Sequence, residues 1–349
     1  MTGSVEVAAF FQTTLSATDK LRFTAGVRYT HDSKSEHAFT VNDNPNGIPG
    51  GTGTFSSDFS IAANKTTWRA GVDFDAGPNS IVYANASTGY KVGGFGAFPD
   101  ATATAPASKY ATYGPEDVRA YDIGTKNVLL NHRLILNAEA FYYIYVNQQV
   151  NTIFLFDQSQ CCGGSGAAIT PSSVNAGHGT DKGIDLELTY QATDKDRIST
   201  SVEYLDTQYQ TFVYPFLFWS NDNSGKPFNY APKFSGNLGY THMWDAGNGG
   251  TVTAALNTHV TTNYWVDYNY TPGSGLQAGY TRSDLDVTYA SQGSKWHVGA
   301  WVRNIENRVV KSFVGGDLPG SPNGTDGQGM KWAELDAPRT YGVTFGARF

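Results

Sequence analysis

Apolar and polar residues alternate with period two through most of the chain, which predicts strands rather than helices. At the C-terminus Tyr341, Val343, Phe345, Ala347 and Phe349 share one face, while Gly342, Thr344, Gly346 and Arg348 share the other. The same alternation recurs at Leu21, Phe23, Ala25, Val27 and Tyr29, which oppose Arg22, Thr24, Gly26, Arg28 and Thr30. It returns at Leu134–Ile144 against Asn137, Glu139, Tyr143 and Tyr145, at Ile184–Tyr190 against Asp185, Glu187 and Thr189, and at Val252–Val260 against Thr253, Asn257 and His259. Counting back from Phe349, the pattern predicts about thirteen strands in all.

A soluble sandwich also alternates, so the connections carry more weight. Short links fall at 17–20, 75–80, 131–132, 192–196, 245–250 and 291–294. Between them lie longer polar segments at 32–64, 93–115, 150–180, 212–229, 268–277 and 309–337. Short turns on one rim and long loops on the other are the build of an outer-membrane β-barrel, with the turns on the periplasmic side. The turn sequence Ala-Thr-Asp-Lys occurs twice, at 17–20 and 192–195, both times on the short side.

If Phe349 ends in the periplasm, the first strand runs downward and Met1 lies outside. Single-chain bacterial barrels have an even strand number and both ends in the periplasm. The expectation is therefore the C-terminal portion of a longer chain, with residues 1–349 forming one barrel domain. Met1 leads directly into strand-like sequence with no basic and apolar export segment, which fits the same expectation.

Composition agrees. Charged residues make up 16% and aromatics 14% of the chain, with 39 Gly, whereas soluble domains carry about 25% charged residues. Mean hydropathy is −0.36, and no apolar run reaches the roughly eighteen residues of a membrane helix. Alternating strands hide their apolar face from such averages. A net charge of −7 argues against a nucleic-acid partner, which needs clustered Lys and Arg.

Candidate chemistry is sparse. The histidines at 31, 37, 132, 178, 242, 259 and 297 show no metal-ligand spacing, and no nucleophile–base pair points to an enzyme, so neither a metal nor a cofactor is expected. Gly93-Gly94-Phe95-Gly96 lacks a phosphate-loop spacing and reads as a rim bend. Adjacent Cys161 and Cys162 read as a loop feature, because neighbouring cysteines rarely close a disulfide. Asn42–Asn46 and Asn221–Asn223 read as ordinary loop polarity ahead of weak Ca²⁺ sites. Tyr29, Tyr90, Tyr142, Tyr190, Trp244, Tyr280, Trp296 and Tyr341 fit aromatic girdles at the two lipid interfaces. Arg22, Arg28, Glu139, Asp185, Glu187 and Arg348 are expected to face the lumen.

Six segments, in order, resemble the C-terminal barrel of TonB-dependent outer-membrane receptors of the iron-complex type: Leu21–Lys34, Ile81–Phe95, Tyr113–Val150, Val174–Tyr190, Trp301–Arg308 and Pro338–Phe349. The resemblance implies an all-β transmembrane barrel of 22 strands, of which about thirteen are present here and the plug domain is not. It implies import of a scarce ligand such as a ferric siderophore, energised by the TonB complex acting through a plug. It also implies that Tyr341, Val343, Phe345 and Phe349 form the terminal signal read by the barrel-assembly machinery. A passive porin-like channel is the second reading. An outer-membrane enzyme and a soluble sandwich are the further rivals.

Overall fold

The computed structural model describes residues 2–42, 53–96, 112–157, 167–175, 177–215, 220–267, 270, 274–315 and 332–348. Thirteen strands follow one another in a continuous antiparallel sheet. They are β1 (Thr2–Ser16), β2 (Leu21–Asn42), β3 (Gly53–Gly77), β4 (Ser80–Lys91), β5 (Glu116–Leu129), β6 (Leu134–Val146) and β7 (Gly177–Gln191). After them come β8 (Asp196–Pro215), β9 (Phe234–Asp245), β10 (Thr251–Thr261), β11 (Tyr280–Ala290), β12 (Trp296–Arg303) and β13 (Thr340–Ala347). Each strand pairs with the next in sequence, so the sheet is a pure meander whose end strands, β1 and β13, have one partner each. A short segment, Ser220–Asp222, adds to the upper part of β8.

The two Ala-Thr-Asp-Lys turns share one hydrogen-bond design. Thr18 Oγ1 accepts from the Lys20 and Leu21 N–H groups at 3.2 and 3.0 Å. Thr193 Oγ1 accepts from Lys195 and Asp196 N–H at 3.1 and 3.0 Å. In both, the alanine N–H closes the turn onto the carbonyl four residues on, at 2.9 Å. A threonine hydroxyl thus takes the place of a backbone turn acceptor, which keeps the link to four residues.

The register sorts side chains onto two faces. On one, Ala140, Ile184, Tyr204 and Phe234 stand side by side across β6 to β9, and the next row reads Ala138, Leu186, Val202 and Gly236. Val27, Tyr204, Leu238, Tyr240, Trp244, Val343 and many neighbours on this face are exposed. Among the described residues no second sheet covers them. Among the described residues, the few buried apolar side chains, such as Tyr209, Phe212, Val266, Tyr270, Val310 and Val314, lie near the long-loop rim. A soluble sandwich would bury this face instead, so the sandwich reading fails. An exposed apolar face of this extent marks a lipid or protein contact.

The opposite face is polar and closely fitted. Gly183 lies beneath the Phe141 ring, where an added Cβ would come within 2.7 Å of the ring and 2.3 Å of the Tyr204 carbonyl. The ring shields backbone that glycine leaves open.

Three expectations change in detail. Polarity predicts a loop over 32–64, yet residues 32–42 and 53–64 extend the β2–β3 ladder up to Asn42 opposite Gly53. Likewise Gln149–Asp157 pairs with Ala167–Asn175, and Lys311–Gly315 with Trp332–Leu335. Backbone pairing needs no apolar face, so these segments form hairpins without showing a strand's hydropathy.

The facing predicts an asymmetric response to charge. Leu186→Arg, in the apolar belt, is expected to lower folded-state stability in lipid by about 2–4 kcal/mol. Glu187→Arg, on the other face, is expected to leave it within about 0.5 kcal/mol. Equilibrium denaturant titration of the full-length protein in phospholipid vesicles checks both, and equal losses would contradict the assigned faces.

Candidate transport lumen and outer rim

The polar face carries a block of carboxylates set by the ladder. Glu139 opposes Asp185 and Asp185 opposes Glu203, so three acids stand in one row across β6, β7 and β8. Glu187 lies two residues further along β7, with Ser201 opposite. The Tyr83 hydroxyl donates to Glu139, Ser235 Oγ donates to Glu203 at 3.2 Å, and the Tyr143 hydroxyl donates to Asp122 at 2.8 Å. Asp181 Oδ1 is buried with no hydrogen-bond partner among the described residues. None of these carboxylates forms an ion pair with a described residue. Like charges directly opposite on a sheet are destabilising, so this row favours positive charge nearby; Lys126 of β5 lies on the same face, 5.6 Å from the centre of the Tyr83 ring.

Several cations elsewhere on the face are already matched. Arg22 grips Asp75 through two bonds of 2.6 and 2.7 Å. Arg28 reaches Glu6 at 2.7 Å, and Arg303 holds Asp286 bidentately at 2.7 and 2.8 Å. Arg282 reaches Asp336 at 2.8 Å. The expected lumen residues Arg22, Arg28, Glu139, Asp185 and Glu187 therefore do share one face, but as two populations: paired arginines and unneutralised acids.

At the long-loop rim, three connections lock together. The Tyr230 hydroxyl donates to the Val266 carbonyl at 2.8 Å and to the Ser312 carbonyl at 3.2 Å. Tyr270 donates through its hydroxyl to the Pro227 carbonyl, and Asn229 Nδ2 donates to the Asp267 carbonyl. Lys311 Nζ donates to the Ser274 and Leu276 carbonyls, each at 2.7 Å. Beneath them, Tyr209 stacks against Phe212 and Phe228 with centroids 4.5 and 4.6 Å apart. Lys226 donates to Asn223 Oδ1 at 2.7 Å and lies 4.4 Å from the centre of the Tyr270 ring. Burial lowers its ammonium pKa, opposed by the negative charge of Asp267 and Asp222. Hydrogen bonds from the Ser224 side chain and backbone hold the Asp222 carboxyl below its ordinary value. Asp222 and Asn223 are thus committed to shaping their own loop.

Among the sequence-derived candidates, Tyr341, Val343 and Phe345 all point outward from β13, 81%, 75% and 72% exposed. Phe349 lies outside the described residues, as do Cys161, Cys162 and most of 42–46. Gly94 and Phe95 pair with Thr112 and Tyr113 in a short ladder, and a Cβ on Gly93 would sit 2.2 Å from the Tyr113 carbonyl oxygen. That close approach explains the glycine. The histidines stay apart: His31 binds Asn64, His37 binds Asp58, His242 binds Asp196 and His259 binds Asn237.

Tyr29, Tyr142, Trp244, Trp296 and Tyr341 are exposed on the apolar face, the side on which girdle residues belong. Tyr280 departs from it. Its strand turns Leu285 and Val287 to the apolar face, opposite Leu256 and Ala254, so Tyr280 falls on the polar face, 5.7 Å from the His259 ring. Tyr90 keeps the apolar-side register of β4, opposite Asp117, but its hydroxyl donates to Asp32 of β2. The row of acids is the feature that sequence reading missed. Glu139, Asp185 and Glu203 are 46 and 18 residues apart in sequence, and only the register brings them together.

Comparison with known proteins follows the geometry. No curated protein sequence matches this chain. The ferric yersiniabactin uptake receptor FyuA of Yersinia pestis superposes with a TM-score of 0.75 at 16% identity, over 99% of this chain and 45% of the receptor. The ferric preacinetobactin receptor BauA of Acinetobacter baumannii gives 0.62 at 20% identity, over 99% and 43%. The copper transporter OprC gives 0.63 at 13% identity, over 97% and 47%. The chain thus spans less than half the length of these structures, and at such identities they speak for the fold alone. The family model "TonB dependent receptor-like, beta-barrel" matches residues 2–305. The chain belongs to the TonB-dependent receptor-like β-barrel family.

Proposed function

We propose that this chain is the C-terminal wall of an outer-membrane receptor that imports a scarce metal chelate, such as a ferric siderophore, using energy relayed by the TonB complex. The observation that carries the reading is the unneutralised block of Glu139, Asp185, Glu203 and Glu187 on the inner face. A wall of this kind calls for a basic body inside the lumen, which a plug domain supplied by a preceding part of the chain would provide. A passive channel has no need of such a neighbour. FyuA is an uptake receptor for ferric yersiniabactin, BauA a receptor for ferric preacinetobactin and OprC a copper transporter, which supports a metal-containing cargo for this chain without selecting one. The tied rim loops and the β2–β3 hairpin would form the capture surface, and the reading assigns the protein a receptor's role rather than an enzyme's.

In this reading Tyr341, Val343, Phe345 and Phe349 present the terminal strand to the barrel-assembly machinery. The sheet would close through further strands between β1 and β13, because open edges in lipid leave N–H and C=O groups unpaired at several kcal/mol each.

Three outcomes are expected. Uptake of radiolabelled ferric chelates by cells expressing the full-length protein falls to background when a protonophore collapses the inner-membrane potential. Uptake indifferent to the protonophore would favour the porin reading. In the full-length protein, Glu139→Gln, Asp185→Asn and Glu203→Gln together loosen the plug and raise sensitivity to a large antibiotic such as vancomycin several-fold; unchanged sensitivity would remove the acidic wall from the argument. Finally, residues 1–349 alone, refolded in detergent, form no sealed barrel. A heat-modifiable band on gels with slow cooperative unfolding would refute this last point.

A further inference from the structure

Three neighbours of Phe228 tie the long-loop rim to itself: the Pro227 carbonyl accepts from Tyr270, Asn229 donates to the Asp267 carbonyl, and Tyr230 donates to the Val266 and Ser312 carbonyls. Phe228, set among them, binds the barrel wall instead. Its N–H donates to Thr207 Oγ1 of β8 at 2.9 Å. Its ring crosses the inner face to Tyr145 of β6, with centroids 6.0 Å apart. On the way it covers Gly179 of β7, where an added Cβ would come within 2.5 Å of the ring and 2.8 Å of Gln148 Oε1. One loop side chain thus spans three strands. Asp181 lies two residues from Gly179 on the same face, flanked in register by Tyr143 and by the Thr207 that holds Phe228. Asp181 Oδ1 and Gln148 Oε1 are both buried, and neither has a hydrogen-bond partner among the described residues. Two acceptors without a donor therefore stand where the loops are fastened to the wall.

We propose that Phe228 and Asp181 form a proton-operated clasp at the mouth of the barrel: the ring stays seated over Gly179 while Asp181 is protonated and lifts away when Asp181 is ionised. A buried carboxylate without donors is unfavourable, and water is the donor it regains when the loop lifts. A proton removes the charge and supplies an O–H, and Gln148 Oε1 is an acceptor that lacks one. The groups around Asp181 give no other relief. Tyr143 donates its hydroxyl to Asp122, Tyr145 packs against Phe228, and Glu116 of β5 accepts from the Gln149 N–H. Asp185 and Glu203, further down the same face, carry like charge. Lys226 is turned to Asn223 and Tyr270, and Lys182 pairs with Asp206 on the outer face. Lys233, at the foot of the loop beside Leu205, is exposed and forms no ion pair among the described residues. Asp181 adjoins Lys182, in the first charged row above the apolar belt. Burial, followed by the negative charges of Glu203 and Asp185, pushes its carboxyl up to about 6, against about 3.9 for a hydrated Asp. The seated state thus holds the proton more tightly. It is fully favoured below about pH 4, loses ground as pH rises to about 6, and stays weakened above that. A gap of about two pH units corresponds to roughly a hundredfold change in the ratio of lifted to seated forms.

The test is amide hydrogen exchange in the full-length protein in detergent, read by mass spectrometry in peptides that contain Phe228, with the intrinsic pH dependence of exchange divided out. Protection is expected to fall roughly tenfold or more between about pH 4.5 and about pH 7.5. Asp181→Asn, which removes the charge and keeps the shape, is expected to hold protection at its acid level throughout. Protection that does not change with pH in the unaltered protein overturns the proposal, and this arm needs no variant. A fall that persists in Asp181→Asn also overturns it, because another acid would then be the titrating group. Peptides that contain Trp265, whose ladder with Leu276 belongs to the tied loops themselves, report general loosening; an equal fall there overturns the clasp as well. The clasp goes beyond the transport reading and needs only a wet loop rim. Chelate uptake enters none of these readouts, so the two stand or fall separately.

Discussion

Every feature of this chain depends on one constraint, that backbone amides and carbonyls within lipid must find partners inside the protein. A meander meets it economically, since each strand pairs with its sequence neighbours and no crossover is needed. Once the ladder is continuous, the period-two pleat assigns alternate residues to lipid and to lumen. A polar wall and an apolar belt then arise from the same residues' order. The tight threonine-bridged turns at 17–20 and 192–195 serve the same end, because they reverse the chain without spending register.

The inner wall shows what such a scaffold makes possible. In a packed core, Glu139, Asp185 and Glu203 in one row would carry a prohibitive desolvation cost. On a hydrated inner surface the row is tolerable, and its repulsion becomes a preference for a basic neighbour. Arg22, Arg28 and Arg303 are each spoken for by a carboxylate, and none of them neutralises the acids of β6 to β8.

Much of this was legible in the sequence, since strand alternation and the spacing of short and long links are local properties. The thirteen strands and their two faces could be read from them. What escaped depends on pairing. Polar hairpins such as 32–42 with 53–64 lack an apolar face, and nothing local marks them as paired. Tyr280 is instructive because stepping back in twos from Tyr289 already places it on the face opposite Leu285, yet an aromatic at a strand end invites the girdle reading. The acidic row gathers residues from three strands, and only the register joins them.

The β2–β3 hairpin carries a consequence for encounter with cargo. Its strands run 22 and 25 residues, whereas about 9–11 suffice to cross the hydrocarbon. At about 3.3 Å per residue, the surplus amounts to a ribbon some 35–45 Å long standing clear of the membrane. In the receptor proposed above, such a mast would enlarge the volume from which a dilute solute is intercepted. Because it is a paired ribbon rather than a free tether, it would do so at a fixed distance and bearing, so that the first collision already had a direction.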